Sequence, residues 1–402
     1  MFWAKELRHS TPGWATLVGR RRRSLAAASG AHAVHDGLTD VIYVLLPIWQ
    51  SQFAMSYALV GLLRGAYSGT MASFQLLIGR VARRWGRKEL LVGGTALAGV
   101  AYLIAGTAGS LVALLFALVL GGLGASAQHP LASSLVADAY DEGRPVKEAL
   151  SQYNFAGDVG KTLIPALVGL SLTVLSWRAN AWLLGLFAIL AASVLWWLIP
   201  DQTASSSKKP KGERTSGKRS PAGLHSLIMT GTLDSAARMA FLTFLPFLLQ
   251  SKGAGSAGIG IALSMLFVGG AFGKLLCGYL GARIGMMKTV WMTETATSLL
   301  IVLVVWMPLM GMMALLPFLG LALNGTSSVL YGAVPELAGS ENRDQAFALF
   351  YTATIGAGAV APILFGSLGD IAGIPAAVVT LAVLLLLTLP LAWRVERSLI
   401  AS

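Results

Sequence analysis

The chain has a single cysteine, Cys277, among 402 residues. A disulfide framework within the chain is excluded, and no CxxC or Cys/His spacing suggests a zinc site. Charge is also scarce: 12% of residues are charged, against about 25% in ordinary soluble domains. Acids are the scarcer sign, 18 against 30 basic residues, for a formal charge of +12. Such an excess would suit a nucleic-acid partner if basic and aromatic residues shared a soluble face. Here the basic residues lie between apolar runs, so no nucleic-acid partner is expected. No GxxxxGK(S/T) phosphate loop occurs, and neither GxSxG nor HExxH is present, so the sequence offers no ATP-driven motor, serine hydrolase or zinc protease. No nucleophile stands beside a base, and no enzyme and no cofactor are expected.

What the chain has in plenty is apolar length, 55% of its residues being hydrophobic. Segments of the roughly 20 residues that cross a bilayer are expected near 25–49, 57–79, 89–108, 110–136, 148–174, 180–199, 223–249, 257–281, 287–306, 307–333, 345–369 and 374–393. They predict a multi-pass, all-α membrane protein of twelve spans. Positive loops stay cytoplasmic. With the N-terminus inside, Arg20 to Arg23, Arg80, Arg83, Arg84, Arg87, Lys88 and the cluster from Lys208 to Arg219 fall on the cytoplasmic side, and little beyond Arg178 and Lys252 on the other. Both termini are therefore expected in the cytoplasm. The tetra-arginine run is a topology anchor; His35, Asp36 and Asp40 interrupt the apolar stretch that a signal peptide needs.

Residues 201–222, DQTASSSKKPKGERTSGKRSPA, have no apolar periodicity and predict a flexible cytoplasmic linker. It separates a basic N-terminal segment (1–24) and a six-span bundle (25–200) from a second six-span bundle (223–402). Internal repetition supports the cut. GRVARRWGRK (79–88) recurs as GYLGARIGMM (278–287) at an offset of 199 residues, so that Gly79, Arg84 and Gly86 match Gly278, Arg283 and Gly285; Pro47 and Gly61 likewise fall on Pro246 and Gly260.

GRVARRWGRK resembles the G-x-x-x-D-R-x-G-R-R/K motif between the second and third helices of the major facilitator superfamily, through Gly79, Arg84, Gly86, Arg87 and Lys88. The motif's aspartate is replaced by Arg83 here and by Ala282 in the second half. HDGLTDVIYVLLPIWQ, LVGLLRGAYSGTMASFQ, AQHPLASSLV and YNFAGDVGK are similar to the fosmidomycin resistance protein branch, bacterial inner-membrane efflux transporters. The resemblance implies two pseudo-symmetric six-helix bundles around a central cavity walled by spans 1, 4, 7 and 10, a monomer, and a conformational-switch loop at the motif.

Polar groups inside the spans align on faces. At 3.6 residues per turn, His32, Asp36, Asp40, Tyr43 and Pro47 share an arc of about 80°. Arg64, Ser68, Met71 and Gln75 align on span 2 with Tyr67 at the margin, Tyr153, Asn154, Asp158 and Lys161 share a face of span 5, and Asp234 and Arg238 share one of span 7. Glu294 on span 9 has no partner legible in sequence. A charge at the bilayer centre costs roughly 2.5–3.5 kcal/mol, so a shared wet cavity is expected; the other reading of Asp158 with Lys161 and Asp234 with Arg238 is ion pairs that only fix helix packing.

These positions set the functional expectation. Two carboxylates one turn apart resist simultaneous ionisation, which makes Asp36 the first and Asp40 the second expected proton carrier, with His32, His35 and His129 as relays. Arg64, Lys161 and Arg238 suit an anionic ligand such as a phosphonate, oriented by Tyr43, Tyr67, Gln128, Asn154 and Asn324. An outgoing monoanion gains about 2.3 kcal/mol per 100 mV of interior-negative potential, which favours export. The expectation is a proton-driven exporter of a small polar or anionic compound, working by alternating access on the proton gradient alone. The alternative is uptake of a metabolite, or of a divalent metal held by His32, His35, Asp36 and Asp40.

Overall fold

The computed structural model describes residues 14–140, 144–200, 221–338 and 343–401. Most of the expected linker (201–222) and the first half of the N-terminal basic segment (1–24) lie outside the described residues, the cluster from Lys208 to Arg219 included. The described residues form fifteen helices that stack into twelve rods. In the first half these are α1 (Trp14–Asp40) with α2 (Ile42–Gln52), α3 (Tyr57–Trp85), α4 (Arg87–Thr107), α5 (Leu111–Ala125) with α6 (Gln128–Tyr140), α7 (Arg144–Ser171) and α8 (Trp177–Leu198). In the second they are α9 (Pro221–Ser251), α10 (Ser256–Ile284), α11 (Met286–Trp306), α12 (Leu309–Ala338), α13 (Arg343–Ala372), and α14 (Ile374–Leu385) with α15 (Thr388–Ala401). The twelve-span, two-bundle architecture expected from the sequence is the architecture observed. Several helices outrun their expected spans on the side of the linker, because helical hydrogen bonding continues past the apolar stretch.

The helix ends follow from local chemistry. Ser110 and Ser176 are N-caps whose hydroxyls accept from the backbone N–H of Ala113 and Ala179. Gly86 and Gly285 end α3 and α10 at φ 91° and 97°, left-handed values that a side chain resists. They are equivalent positions of the repeat, as are Ala54 (φ 47°) and Gly253 (φ 94°). The duplication thus extends from residue identity to backbone conformation.

The bundles meet along two matching seams, α3 against α13 and α7 against α10. Gly61 of α3 faces the carbonyl of Pro362, and its repeat counterpart Gly260 of α10 faces the carbonyl of Pro165. The seams tighten away from the linker. A methyl built at Gly61 would lie 2.1 Å from the Pro362 oxygen, one at Gly65 2.4 Å from the Ala359 oxygen, one at Gly69 3.6 Å from the Ala359 methyl, and one at Gly356 would meet nothing. The bundles therefore close on the face opposite the linker and part toward it.

One carboxylate fastens the closed face. The Asp370 oxygens accept from the backbone N–H of Tyr57 at 2.7 Å and of Ala58 at 2.9 Å, at the first turn of α3. Ser56 takes the Leu59 N–H at 3.3 Å, so three of the helix's free N-terminal donors are satisfied, two of them from the other bundle. A cap of this kind is worth about 1 kcal/mol, or about fivefold in population. Asp370→Ala is expected to raise, by about that factor, the rate at which a thiol reagent labels a cysteine placed at Phe247, which is buried against Tyr57 on the closed face; an unchanged rate would show that the contact does not hold the face shut.

Candidate functional site

Nine of the twelve rods among the described residues are long and apolar enough to cross a membrane by composition alone. The other three are α1–α2, α3 and α7, which carry most of the intramembrane charge of the first bundle. They can do so because they bury it against one another. Gly157 and Gly160 of α7 let α1 approach closely: a methyl at Gly157 would lie 2.7 Å from the Asp36 Oδ2 and from the His32 ring, and one at Gly160 1.9 Å from the Ala33 carbonyl oxygen. His32, His35, Asp36 and Asp158 are all buried as a result.

At the centre stands Lys161. Its Nζ lies 3.0 Å from Asp36 Oδ2 and 3.6 Å from Asp158 Oδ1. The same Asp158 oxygen accepts from Lys274 Nζ at 2.6 Å, and Lys274 belongs to α10. A line of alternating charge, Asp36, Lys161, Asp158, Lys274, therefore crosses from the first bundle to the second. Beside it, Arg64 donates from Nη2 to the Tyr43 hydroxyl at 2.9 Å and from Nη1 to the Ser68 hydroxyl at 2.5 Å. Its guanidinium lies over the Tyr43 ring at 4.7 Å and the Tyr67 ring at 5.7 Å, and Asp40 Oδ1 is 4.0 Å away. Tyr67 in turn exchanges a hydrogen bond with Thr39 at 3.0 Å. Asp36 and Asp40, one turn apart on α1, each have a cation of their own, Lys161 of α7 for the first and Arg64 of α3 for the second. Three carboxylates face three cations.

The histidines form the other wall. His32 Nδ1 lies 2.9 Å from the Tyr153 carbonyl oxygen. A carbonyl only accepts, so Nδ1 carries the hydrogen, and Nε2 is left pointing at Asp36 Oδ2 at 3.4 Å. Two acceptors face each other there unless a proton lies between them. The His129 ring meets those of His32 and His35 edge-on at 5.2 Å and 4.8 Å, and His35 Nε2 is 3.9 Å from Asp36 Oδ1. Donor atoms of His32, Asp36 and His129 lie within 4.8 Å of one another, a grouping that by ligand type suits a divalent ion. The Lys161 ammonium on the same Asp36 oxygen opposes it, since a dication would have to displace that charge.

In the second bundle Arg238 Nη2 approaches Asp234 Oδ2 at 3.5 Å and Nη1 donates to the Ser327 hydroxyl at 3.3 Å. The Tyr43 hydroxyl reaches Met239 Sδ at 3.9 Å, bringing this group to the edge of the first. Gln128 is buried beside His35 and Tyr67 in a small pocket. Asn154 is exposed, and the Asn324 amide donates to the carbonyl of Gly320 on its own helix at 3.3 Å while packing against Gly270; neither joins the cluster. Sequence reasoning missed Lys274. A lone lysine in the apolar run GGAFGK carries the same insertion cost as Lys161, and that cost was the available signal. The motif loop works inside its own bundle: Arg87 pairs with Asp138, Lys88 lies 4.7 Å over the Trp196 ring, Arg83 donates to the Gly79 carbonyl at 3.4 Å, and in the second half Arg283 stacks on Tyr279 at 4.8 Å. Arg84 is exposed, and Gly79 and Gly278 face open space.

Gly157→Ala forces its methyl into the Asp36–His32 contact. Overpacking of this kind costs about 1–3 kcal/mol, so a lowered unfolding temperature in detergent is expected; Gly93→Ala, where a methyl meets nothing, is expected to leave it unchanged. Equal effects of the two would mean that α1 and α7 are not tightly packed at the cluster.

The comparisons with known proteins agree with this architecture. The Major Facilitator Superfamily pattern matches residues 28–232 and 227–399. The chain is 26% identical to the 3-(3-hydroxy-phenyl)propionate transporter of Escherichia coli over 81% of its own length and 76% of that protein. It is 26% identical to the multidrug resistance protein MdtL of an Escherichia coli strain over 52% of its length and 54% of that protein. It is 31% identical to the multidrug transporter mfsC of Aspergillus fumigatus over 32% of its length, spanning about a quarter (26%) of that longer protein. In three dimensions it is similar to a bacterial homologue of the human lysosomal transporter Spinster, in an inward-facing and unoccupied conformation, with a TM-score of 0.78 at 16% identity, over 95% of this chain and 98% of that one. None of these matches singles out the fosmidomycin branch. The two-bundle fold, the paired seams and the pattern matched across both halves identify the chain as a member of the Major Facilitator Superfamily, a multi-pass membrane transporter rather than an enzyme.

Proposed function

We propose that the chain is a proton-coupled secondary transporter of small organic anions, working by alternating access. The observation that carries this reading is the charge balance of the buried cluster. With Asp36, Asp40 and Asp158 set against Arg64, Lys161 and Lys274, an anion entering this cluster finds no free cation among the described residues. A proton on Asp36 releases Lys161, and a proton and an anion then bind together with no net change of buried charge. His32, already donating through Nδ1 to Tyr153, stands where it can pass that proton to Asp36. Tyr43 and Arg64 offer two kinds of donor to a carboxylate or phosphonate group.

The inter-bundle pair Asp158–Lys274 gives the coupling a mechanical consequence. It lies on the α7–α10 seam, so an anion that draws Lys274 or Lys161 away from Asp158 weakens a contact between bundles. Rocking of one bundle against the other follows from competition for the same ammonium groups. Binding of proton and anion together favours uptake along an inward proton gradient. Export, driven by the electrical term on an outgoing anion, is the second reading; the likeness to MdtL over about half the chain favours it. In both readings the linker side, where the bundles part and the basic loops gather, is the cytoplasm of a bacterial cell whose inner membrane holds the protein as a monomer.

The test is transport by the purified chain in proteoliposomes under an imposed pH gradient, with 3-(3-hydroxyphenyl)propionate, a phosphonate antibiotic and neutral analogues of each. Anions are expected to move and neutral analogues not, with accumulation following the proton gradient. Asp36→Asn is expected to keep anion exchange while losing the response to pH. Transport by Asp36→Asn that still follows the gradient would remove Asp36 from the coupling, and equal transport of neutral analogues would remove the anion.

A further inference from the structure

Two buried acids lie outside this scheme, Glu294 and Asp234. Glu294 sits in the middle of α11, 1% exposed, and neither of its carboxylate oxygens has a hydrogen-bond partner. A bare carboxylate in such a place is untenable: burying an unpaired charge costs far more than the fold's margin of stability, and such a group takes up a proton instead. A second buried acid makes the matter worse. Glu294 and Asp234 of α9 interact directly, carboxyl against carboxyl, and Asp234 is itself 4% exposed. An acceptor faces an acceptor, which is why neither Glu294 oxygen finds a partner while both acids are ionised.

The surroundings supply one positive charge. Arg238 reaches Asp234 at 3.5 Å, and one of its own nitrogens, Nε, is buried without a partner. Hydroxyls complete the shell: Thr326 donates to Thr293 at 2.7 Å, and the Thr297 hydroxyl is buried without a partner one turn from Glu294. The elements packed on α11 bring no second compensating charge. Helix α14 has no titratable side chain; α15 carries Arg394, Glu396 and Arg397 only at its linker-side end; α12 carries Tyr331 and the exposed Glu336 beyond Thr326; α10 carries Cys277, Tyr279 with Arg283 stacked on it, and Lys274, the last already on Asp158. Two carboxyls and one guanidinium leave a single negative charge to be neutralised.

We propose that Asp234 and Glu294 hold one proton between them, forming a proton-binding site in the second bundle separate from the cluster on α1. The shared proton turns the acceptor–acceptor contact into a hydrogen bond and leaves one negative charge for Arg238. Arg238, the partly exposed member, is the side of the site that an anion can reach, and Glu294 is the buried end that keeps the proton. Loss of the proton sets two carboxylates against one guanidinium and ties Arg238 to them, so proton and anion favour each other here as well. The site does not depend on the role given to Asp36.

Infrared spectroscopy of the full chain in lipid reads the proton directly, through the carbonyl stretch of a protonated carboxylic acid. The wild type is expected to show that band at neutral pH, to lose it in Glu294→Gln, and to shift it in Asp234→Asn. Asp36→Asn and added sodium are expected to leave it in place. The Gln amide can donate to Asp234 in place of the acid, and size-exclusion chromatography reports whether the variant is folded. A wild type without the band at neutral pH, a band unaltered in both Glu294→Gln and Asp234→Asn, or a band that sodium abolishes at fixed pH would overturn the site.

Discussion

The ammonium of Lys161 between Asp36 and Asp158 is the contact on which the arrangement of the first bundle depends. Remove it in thought, and Asp36 loses its ammonium while Asp158 keeps only Lys274 of the other bundle. Everything that brings α1 and α7 together serves that contact: Gly157 and Gly160 permit the approach, Tyr153 fixes the His32 ring through its carbonyl, and Lys274 holds the far side of Asp158 from the other bundle. Buried ion pairs contribute little net stability compared with apolar packing, yet breaking one partner is costly. That asymmetry suits a switch, which needs states that are individually satisfied and intermediates that are not.

The two halves show what duplication keeps and what it changes. Turn conformations, the glycines of the seams and the prolines at Pro47 and Pro246 recur, because they fix the path of the chain. The chemistry does not recur: the repeat counterpart of His35 is Asp234, and that of Thr39 is Arg238. Closure and opening can therefore be symmetric while the bound groups are not. The closed face adds an asymmetry of its own in Asp370, which caps α3 from the other bundle and must let go before that face opens.

Much of this was legible in the sequence, for identifiable reasons. Apolar length predicts twelve spans, and the helices follow them. Period 3.6 correctly gathered His32 and Asp36 on one face and Asp158 with Lys161 on another. It could not say that these two faces meet, since nothing in a single sequence records which helices touch. Nor could it say that the far part of the stripe on the first span, Asp40 and Tyr43, meets Arg64 of α3. Asn154 and Asn324 fell to the same limit: residues of suitable chemistry on suitable spans, one exposed and the other spent on its own helix. Lys274 and Glu294 were isolated charges with no periodic companions, and pattern reasoning has no hold on a residue that stands alone until its neighbours from other helices are known.

The most direct measurement of the central claim is a double-mutant cycle on Lys161 and Asp36, followed by thermal unfolding of the purified protein in detergent. Lys161→Met alone strands the buried Asp36 carboxylate, while Asp158 keeps Lys274, and a large loss of stability is expected. Adding Asp36→Asn removes the stranded charge, so the double variant is expected to be more stable than the single one. If the two substitutions instead destabilise additively, the ammonium does not hold these carboxylates together, and a mechanism built on their competition for it is contradicted.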